Sequence, residues 1–192
     1  MATDISKQDW TKTVAEEDYL VSTRLELVSR DFVQAAFASE DTYWAKPLDR
    51  TVLESLLENS VTLGLYKVLP AIPPARSAET PDSPRTPSPA IDAGDSERLQ
   101  QIGMARLVTD RITTAYLTDV FLVPEYRGKA LGKWVVQCVD EVFKNFPAMR
   151  RTFLVTSPDV GARFYKQELG FWDVSEEKHQ LACLTRRFFK MD

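Results

Sequence analysis

Val120-Phe121-Leu122-Val123-Pro124-Glu125-Tyr126-Arg127-Gly128-Lys129-Ala130-Leu131-Gly132-Lys133 changes its period halfway along. The opening apolar run is strand-like and Pro124 ends it. From Leu131 the pattern is helical: Leu131, Val135, Val139, Val142 and Phe146 share one face, while Lys133, Gln137, Asp140, Glu141 and Lys144 lie on the other. A strand therefore runs through a basic, glycine-containing turn into a helix. The short apolar run Thr152-Phe153-Leu154-Val155-Thr156 follows, and having come back from a helix it can pair parallel to the strand before it. This is a βαβ unit late in the chain.

Upstream of that unit, Leu99 to Val108 and Thr113 to Val123 flank the polar connection Thr109-Asp110-Arg111 and read as a long antiparallel hairpin. Earlier still, Tyr19 to Thr23 is strand-like, a helix is expected from about Leu25 to Ser39, and Asp49 or Thr51 caps a short helix carrying Val52, Leu53, Leu56 and Leu57. Val61 to Leu69 is a further strand. Downstream, Asp159 to Glu168 reads as a helix stopped near Gly170, and Leu181 to Phe189 as a last strand. The fold class is α/β: a mixed, mostly antiparallel sheet with a late βαβ unit and about four helices.

Between about residues 70 and 97, prolines fall among Ser, Thr, Ala and Asp with no aromatic residue. Such a stretch buries too little apolar surface to offset the entropy of ordering it. It reads as a disordered insertion in a single domain of residues 1–192, because what precedes it is too short to close its own core. Its Ser-Pro and Thr-Pro pairs are candidate phosphorylation sites, or simply what a proline-rich surface loop contains.

Composition excludes several classes. At 192 residues, 44% hydrophobic and 27% charged, the chain has the makings of a sizeable core. The net charge of -4 argues against a nucleic-acid partner. Cys138 and Cys183 are the only cysteines and His179 the only histidine, so neither a disulfide framework nor a histidine- or cysteine-built metal site is expected. No apolar run approaches a membrane span and the start lacks the order of a secretory signal, so no membrane association is expected and the cytoplasm is the expected compartment, with the nucleus not excluded.

The turn itself carries chemistry. Unpaired backbone N–H groups at a helix start, beside small residues, form a phosphate cradle, and Arg127, Lys129 and Lys133 add positive charge there. A Walker loop is excluded because Gly128 and Gly132 are one residue too close and Trp134 follows Lys133, and the dinucleotide fingerprint lacks its second glycine. Arg127, Ala130 and Gly132 do resemble the coenzyme A motif of the GNAT acetyltransferases: Gln or Arg, two residues, Gly, one residue, Gly or Ala. Ala130 stands where the first glycine is preferred. The later stretch Ala162-Arg163-Phe164-Tyr165-Lys166-Gln167-Glu168-Leu169-Gly170-Phe171 is similar to that family's Tyr-bearing helix followed by Gly-Phe. The resemblance spans about Tyr19 to Trp172, excluding the insertion.

The resemblance implies a GNAT-like sheet and transfer of an acetyl group from acetyl-CoA to a primary amine through a ternary complex, with no metal. It implies that the strand before the loop bulges, so that backbone groups of Val120 and Leu122, flanking Phe121, hold the pantetheine arm, with the Val120 N–H on the thioester carbonyl. The N–H groups from Gly128 through Lys129, Ala130, Leu131 and Gly132 to Lys133 take the pyrophosphate, beside Arg127. Tyr165 matches the tyrosine that protonates the departing thiolate, and is otherwise a packing residue beside Phe164 and Phe171. Asp119 is the one carboxylate on the strand of Tyr116 and Thr118, and is either a base for the amine or a buried hydrogen-bond anchor. Strict alternation turns it to the opposite face unless a bulge re-aims it. Tyr43 and Trp44, after Asp41, border the acceptor pocket together with Tyr116, or else pack. The partner is a small-molecule amine, with a homodimer left open. A coenzyme A sensor without turnover and a protein-lysine acetyltransferase are the alternatives.

Overall fold

The computed structural model describes residues 5–70, 98–176 and 183–184. The candidate insertion from residue 71, His179 and almost all of the expected last strand lie outside the described residues. The chain divides into two compact units, Met1–Val155 and Thr156–Asp192.

The first unit is built on a six-stranded sheet in sequence order: β1 (Asp9–Val14), β2 (Glu17–Ser22), β3 (Val61–Val68), β4 (Leu99–Thr109), β5 (Thr114–Leu122) and β6 (Arg151–Leu154). Neighbours run antiparallel except β5 and β6, which are parallel. Helix α3 (Leu131–Asn145) joins those two, as the βαβ pattern requires, and α1 (Arg30–Ala38) and α2 (Arg50–Glu58) lie between β2 and β3 in the chain. The mixed, mostly antiparallel class read from the sequence is the observed one.

Two apolar layers hold it. Val28, Val33, Ala36, Phe37, Leu53 and Leu57 from the α1–α2 region bury against Met104 of β4, with Phe121 of β5 packed on the cluster. Side chains alternate along a strand, so Ala105 and Leu107 face the other way, where α3 packs on β3 and β4. Leu131, Val135, Val139, Val142 and Phe146, the expected apolar face of α3, are all buried. Each such side chain contributes about 1.5–3 kcal/mol relative to exposure, which fixes where the start of α3 sits beneath the sheet.

The first expected helix is shorter than its apolar pattern suggests. Leu25–Leu27 is a single 3-10 turn, and α1 begins only after Ser29, whose hydroxyl accepts the Phe32 N–H at 3.2 Å. β1 has no counterpart in the sequence reading. The expected polar turn is confirmed: the Asp110 carboxylate accepts the Thr113 hydroxyl at 2.6 Å and the N–H groups of Ile112, Thr113 and Thr114 at 2.8–3.0 Å, and these bonds, the hydroxyl first, hold its pKa well below the usual carboxylate range. Among the described residues no helix is long and apolar enough to cross a membrane. The second unit carries α4 (Val160–Leu169), ended by Gly170 in the left-handed region at φ 67°.

Candidate active site

The ladder between β4 and β5 slips by one residue. Arg106 pairs with Thr118 and Met104 with Phe121, so β5 spends three steps where β4 spends two. The surplus is taken up at Asp119, which sits at φ 50°, a conformation that Asp tolerates better than most residues. The bulge turns Asp119 to the face that Thr118 shares, and four donors fix it there. Its Oδ2 accepts Arg106 Nε at 2.7 Å and pairs with Nη2 at 2.7 Å, and its Oδ1 accepts Trp44 Nε1 and the Thr118 hydroxyl at 3.1 Å each. Asp119 is 6% exposed, and both oxygens are engaged. The base and the anchor read from the sequence are one residue, and its contacts are those of an anchor.

Beyond the bulge β5 opens. β6 pairs with β5 only from Thr114 to Leu117, so residues 118–122 have no strand on that side among the described residues. The Val123 N–H donates to the Ile102 carbonyl at 2.9 Å, which sets the phase: Phe121 turns its backbone groups to β4, and Val120 and Leu122 turn theirs to the opening. Gly103 permits this close seating of β5, because a Cβ there would lie 2.9 Å from the Phe121 carbonyl oxygen.

Past the strand, Pro124–Tyr126 makes a 3-10 turn, Gly128 takes φ 80°, and Ala130 at φ 57° is the N-cap of α3 with no side-chain cap. The first N–H groups of a helix have no partner within it, so those of Leu131 and Gly132 point out of the helix end. A Cβ added at Gly128 or Gly132 would meet nothing within 4 Å, so there is open space before both. Two of the cations expected at the loop are ion-paired. Arg127 donates Nη2 to Asp41 at 2.5 Å and Nε to the Leu122 carbonyl at 2.9 Å. Lys129 reaches Glu17 at 3.3 Å and stands 5.2 Å from the Tyr126 ring centroid. Glu17 also accepts Lys67 and the Tyr19 hydroxyl, and these hydrogen bonds, Lys67 first, pull its pKa down to about 2. Two of the three expected loop cations thus close on carboxylates from other elements.

On the face of Asp119, Tyr43 and Trp44 stack edge to face with centroids 5.1 Å apart, both exposed. Tyr116 is half-buried and sits in register between Val108 of β4 and Phe153 of β6. In the second unit, Tyr165 lies between Phe164 and Phe171, at 5.1 and 6.4 Å, and burial pushes its phenol up to about 12. The α4 end closes back on it, since the Gly170 and Phe171 N–H groups both reach the Tyr165 carbonyl. Cys138 is buried, and desolvation raises its thiol to about 12, which makes it inert as a nucleophile. No three metal-ligating side chains come together among the described residues.

Residues 74–171 match the family of Acetyltransferase (GNAT) proteins, a span that crosses the boundary between the two units. A Gibberella zeae protein whose name places it among the acetyltransferases is 33% identical over 169 residues, covering 88% of this chain and 85% of that one. A GNAT-family crystal structure from Xanthomonas campestris pv. campestris shares the fold at TM-score 0.58, with 23% identity and coverage of 89% of this chain and 93% of that one. A GNAT-family acetyltransferase of Streptococcus pneumoniae TIGR4 does so at TM-score 0.52, 15% identity and coverage of 96% and 100%. With its opened strand and uncapped helix start, and with half its length matched to the family, the chain belongs to the GNAT acetyltransferases.

Proposed function

We propose that the protein transfers the acetyl group of acetyl-CoA directly to a primary amine, both substrates being bound together. The observation that carries this is the opening of β5: the backbone groups of Val120 and Leu122 face away from β4 at a point one short turn from the uncapped start of α3. A pantetheine arm is an extended chain of amides, and such a strand is its natural partner. The Val120 N–H, donating to the thioester oxygen, stabilises the negative charge that grows there as the amine attacks. The N–H groups of Leu131 and Gly132 receive the phosphates, and the space before Gly128 and Gly132 admits them. The acceptor's ammonium first gives a proton to water. The free amine nitrogen then bonds to the acetyl carbon, the carbon–sulfur bond breaks, and the nitrogen loses a second proton to water. The thiolate takes one from Tyr165, the acid that the family resemblance implies, which burial keeps protonated and whose phenolate recovers a proton from water. The acceptor is a small molecule that meets Tyr43, Trp44 and Tyr116, and the reaction is cytoplasmic, with the nucleus left open.

Free thiol release from acetyl-CoA over a panel of amines and lysine peptides tests the reading. Turnover with one small primary amine is the expected result, and turnover with peptides alone would move the acceptor to protein lysine. Calorimetry should find acetyl-CoA far tighter than acetyl-pantetheine, which lacks the phosphates, and equal affinities would sink the phosphate cradle. The engagement of both Asp119 oxygens favours a second reading, a coenzyme A sensor without turnover. Tight coenzyme binding with no thiol release from any amine is its signature.

A further inference from the structure

One contact joins the coenzyme loop to the acceptor-side segment, and it is built to be exchanged. Three side-chain contacts to other elements stand out among those that hold the segment around Tyr43 and Trp44. Thr42, buried, donates its hydroxyl to the Ala36 carbonyl at 2.5 Å, and Trp44 donates to buried Asp119. The third hold is Asp41 on Arg127, between side chains 50% and 46% exposed. An ion pair so open to water adds little net stability. Breaking it leaves the Thr42 and Trp44 holds in place. The same Arg127 also occupies the Leu122 carbonyl, one of the groups that face the opening of β5.

We propose that Asp41 is a conditional acceptor-binding residue: its carboxylate is held by Arg127 while the coenzyme is absent and passes to the ammonium group of the acceptor once the coenzyme phosphates draw the guanidinium away. The inference rests on the acetyl-transfer reading. A guanidinium binds phosphate through two parallel hydrogen bonds, and here the uncapped end of α3 adds its own field, so a phosphate outcompetes a single half-exposed carboxylate. The pantetheine arm claims the Leu122 carbonyl at the same time, removing the second hold on Arg127. Asp41 is then an unpaired carboxylate two and three residues ahead of the exposed Tyr43 and Trp44 rings, and a carboxylate together with ring faces is the complement of an alkylammonium. No bond is made or broken in the exchange. Linkage makes it reciprocal, since the factor by which coenzyme improves amine binding is the factor by which amine improves coenzyme binding.

Calorimetry of coenzyme A on the whole chain tests this, with Asp41→Asn, Arg127→Gln, the double variant, and Glu40→Gln as a neighbouring charge control. Asp41→Asn should bind coenzyme A about two- to fivefold tighter, because a competitor for Arg127 is gone. Glu40→Gln should match wild type, and the gain should vanish in the Arg127→Gln background. With the amine that turns over, Asp41→Asn should raise the amine KM several-fold while kcat stays within about twofold. Coenzyme affinity unchanged or weakened by Asp41→Asn, a gain that survives without Arg127, an equal gain from Glu40→Gln, or an unmoved amine KM would each overturn the exchange. Wild type that binds no coenzyme A would instead bring down the acetyl-transfer reading itself, a result distinct from an Asp41→Asn variant that only equals a wild type that binds.

Discussion

Asp119 combines three demands that rarely coincide in one residue: a left-handed backbone, near-complete burial and a full negative charge. The charge is tolerable because Arg106 lies against it with its side chain only 12% exposed. Asn tolerates the same backbone and nearly the same shape, so Asp119→Asn removes the charge alone and leaves Arg106 buried without its partner. Loss of one member of a buried pair costs about 3 kcal/mol or more, and urea unfolding should record a midpoint lowered accordingly. A variant of unchanged stability whose turnover has collapsed would make Asp119 the base instead. Tyr165 is a cleaner case. Tyr165→Phe keeps the ring between Phe164 and Phe171 and deletes the proton donor, so turnover should fall by about 100-fold or more while coenzyme affinity moves little. Its raised pKa also has a sign. Wild-type turnover, where proton donation limits it, should hold on the alkaline side until pH approaches about 12. Stability follows the same group, being fully present below the ordinary phenol value of about 10 and lost as pH rises toward 12. Thermal melts between those limits should fall more steeply for wild type than for Tyr165→Phe.

At the scale of the element, α3 begins at a cost. Ala130 holds φ 57° with no side-chain cap, a conformation that a Cβ disfavours by about 1–2 kcal/mol. Ala130→Gly should therefore stabilise the protein by about 1 kcal/mol in chemical denaturation, and coenzyme A should bind at least as tightly by calorimetry, since nothing the loop offers to a phosphate is removed. The start and face of α3 were legible in the sequence because its apolar residues repeat at helical spacing and all of them are buried. β1 was not. Asp9-Trp10-Thr11-Lys12-Thr13-Val14 is an edge strand with mostly exposed side chains, so no apolar alternation marks it. It is fixed instead by a tight hairpin with β2, whose turn residues Ala15 and Glu16 take φ 49° and 66° without the usual glycine or asparagine signal, and by Trp10 Nε1 donating to Glu141 on α3 at 2.7 Å, a partner 131 residues away. The site divides in the same way. Strand, turn and helix start are local and could be read directly, whereas the side to which Asp119 turns depends on a slip against β4. The partners of Arg127 and Lys129 lie 86 and 112 residues away, and no spacing in the sequence announces them.

Across the whole molecule, the proline-rich stretch leaves and re-enters the sheet at one place. Val68 pairs with Leu99, and the Leu69 N–H donates to the Arg98 carbonyl at 2.7 Å, so the flanks of the stretch are neighbours in the ladder. A short linker spans that gap. Replacing Ala71 to Gly94 with a few glycines and serines should shift the thermal midpoint by no more than about 3 °C, equivalent to about 1 kcal/mol in a protein of this size, with coenzyme affinity unchanged. A larger drop would mean that the stretch packs on the fold.

The surplus residue in β5 gives the strand a parity. Up to Thr118 one set of backbone groups looks toward β4, and after Asp119 the other set does. Substitution cannot alter parity, because it changes what hangs from the backbone and not how many steps are taken. Side chains at 116 and 118 can therefore be exchanged for others while Val120 and Leu122 keep presenting the same amides to the opening of β5. Removing a single residue from the strand inverts the order at a stroke, turning Phe121 outward and Val120 and Leu122 in. What this strand cannot give up is a length.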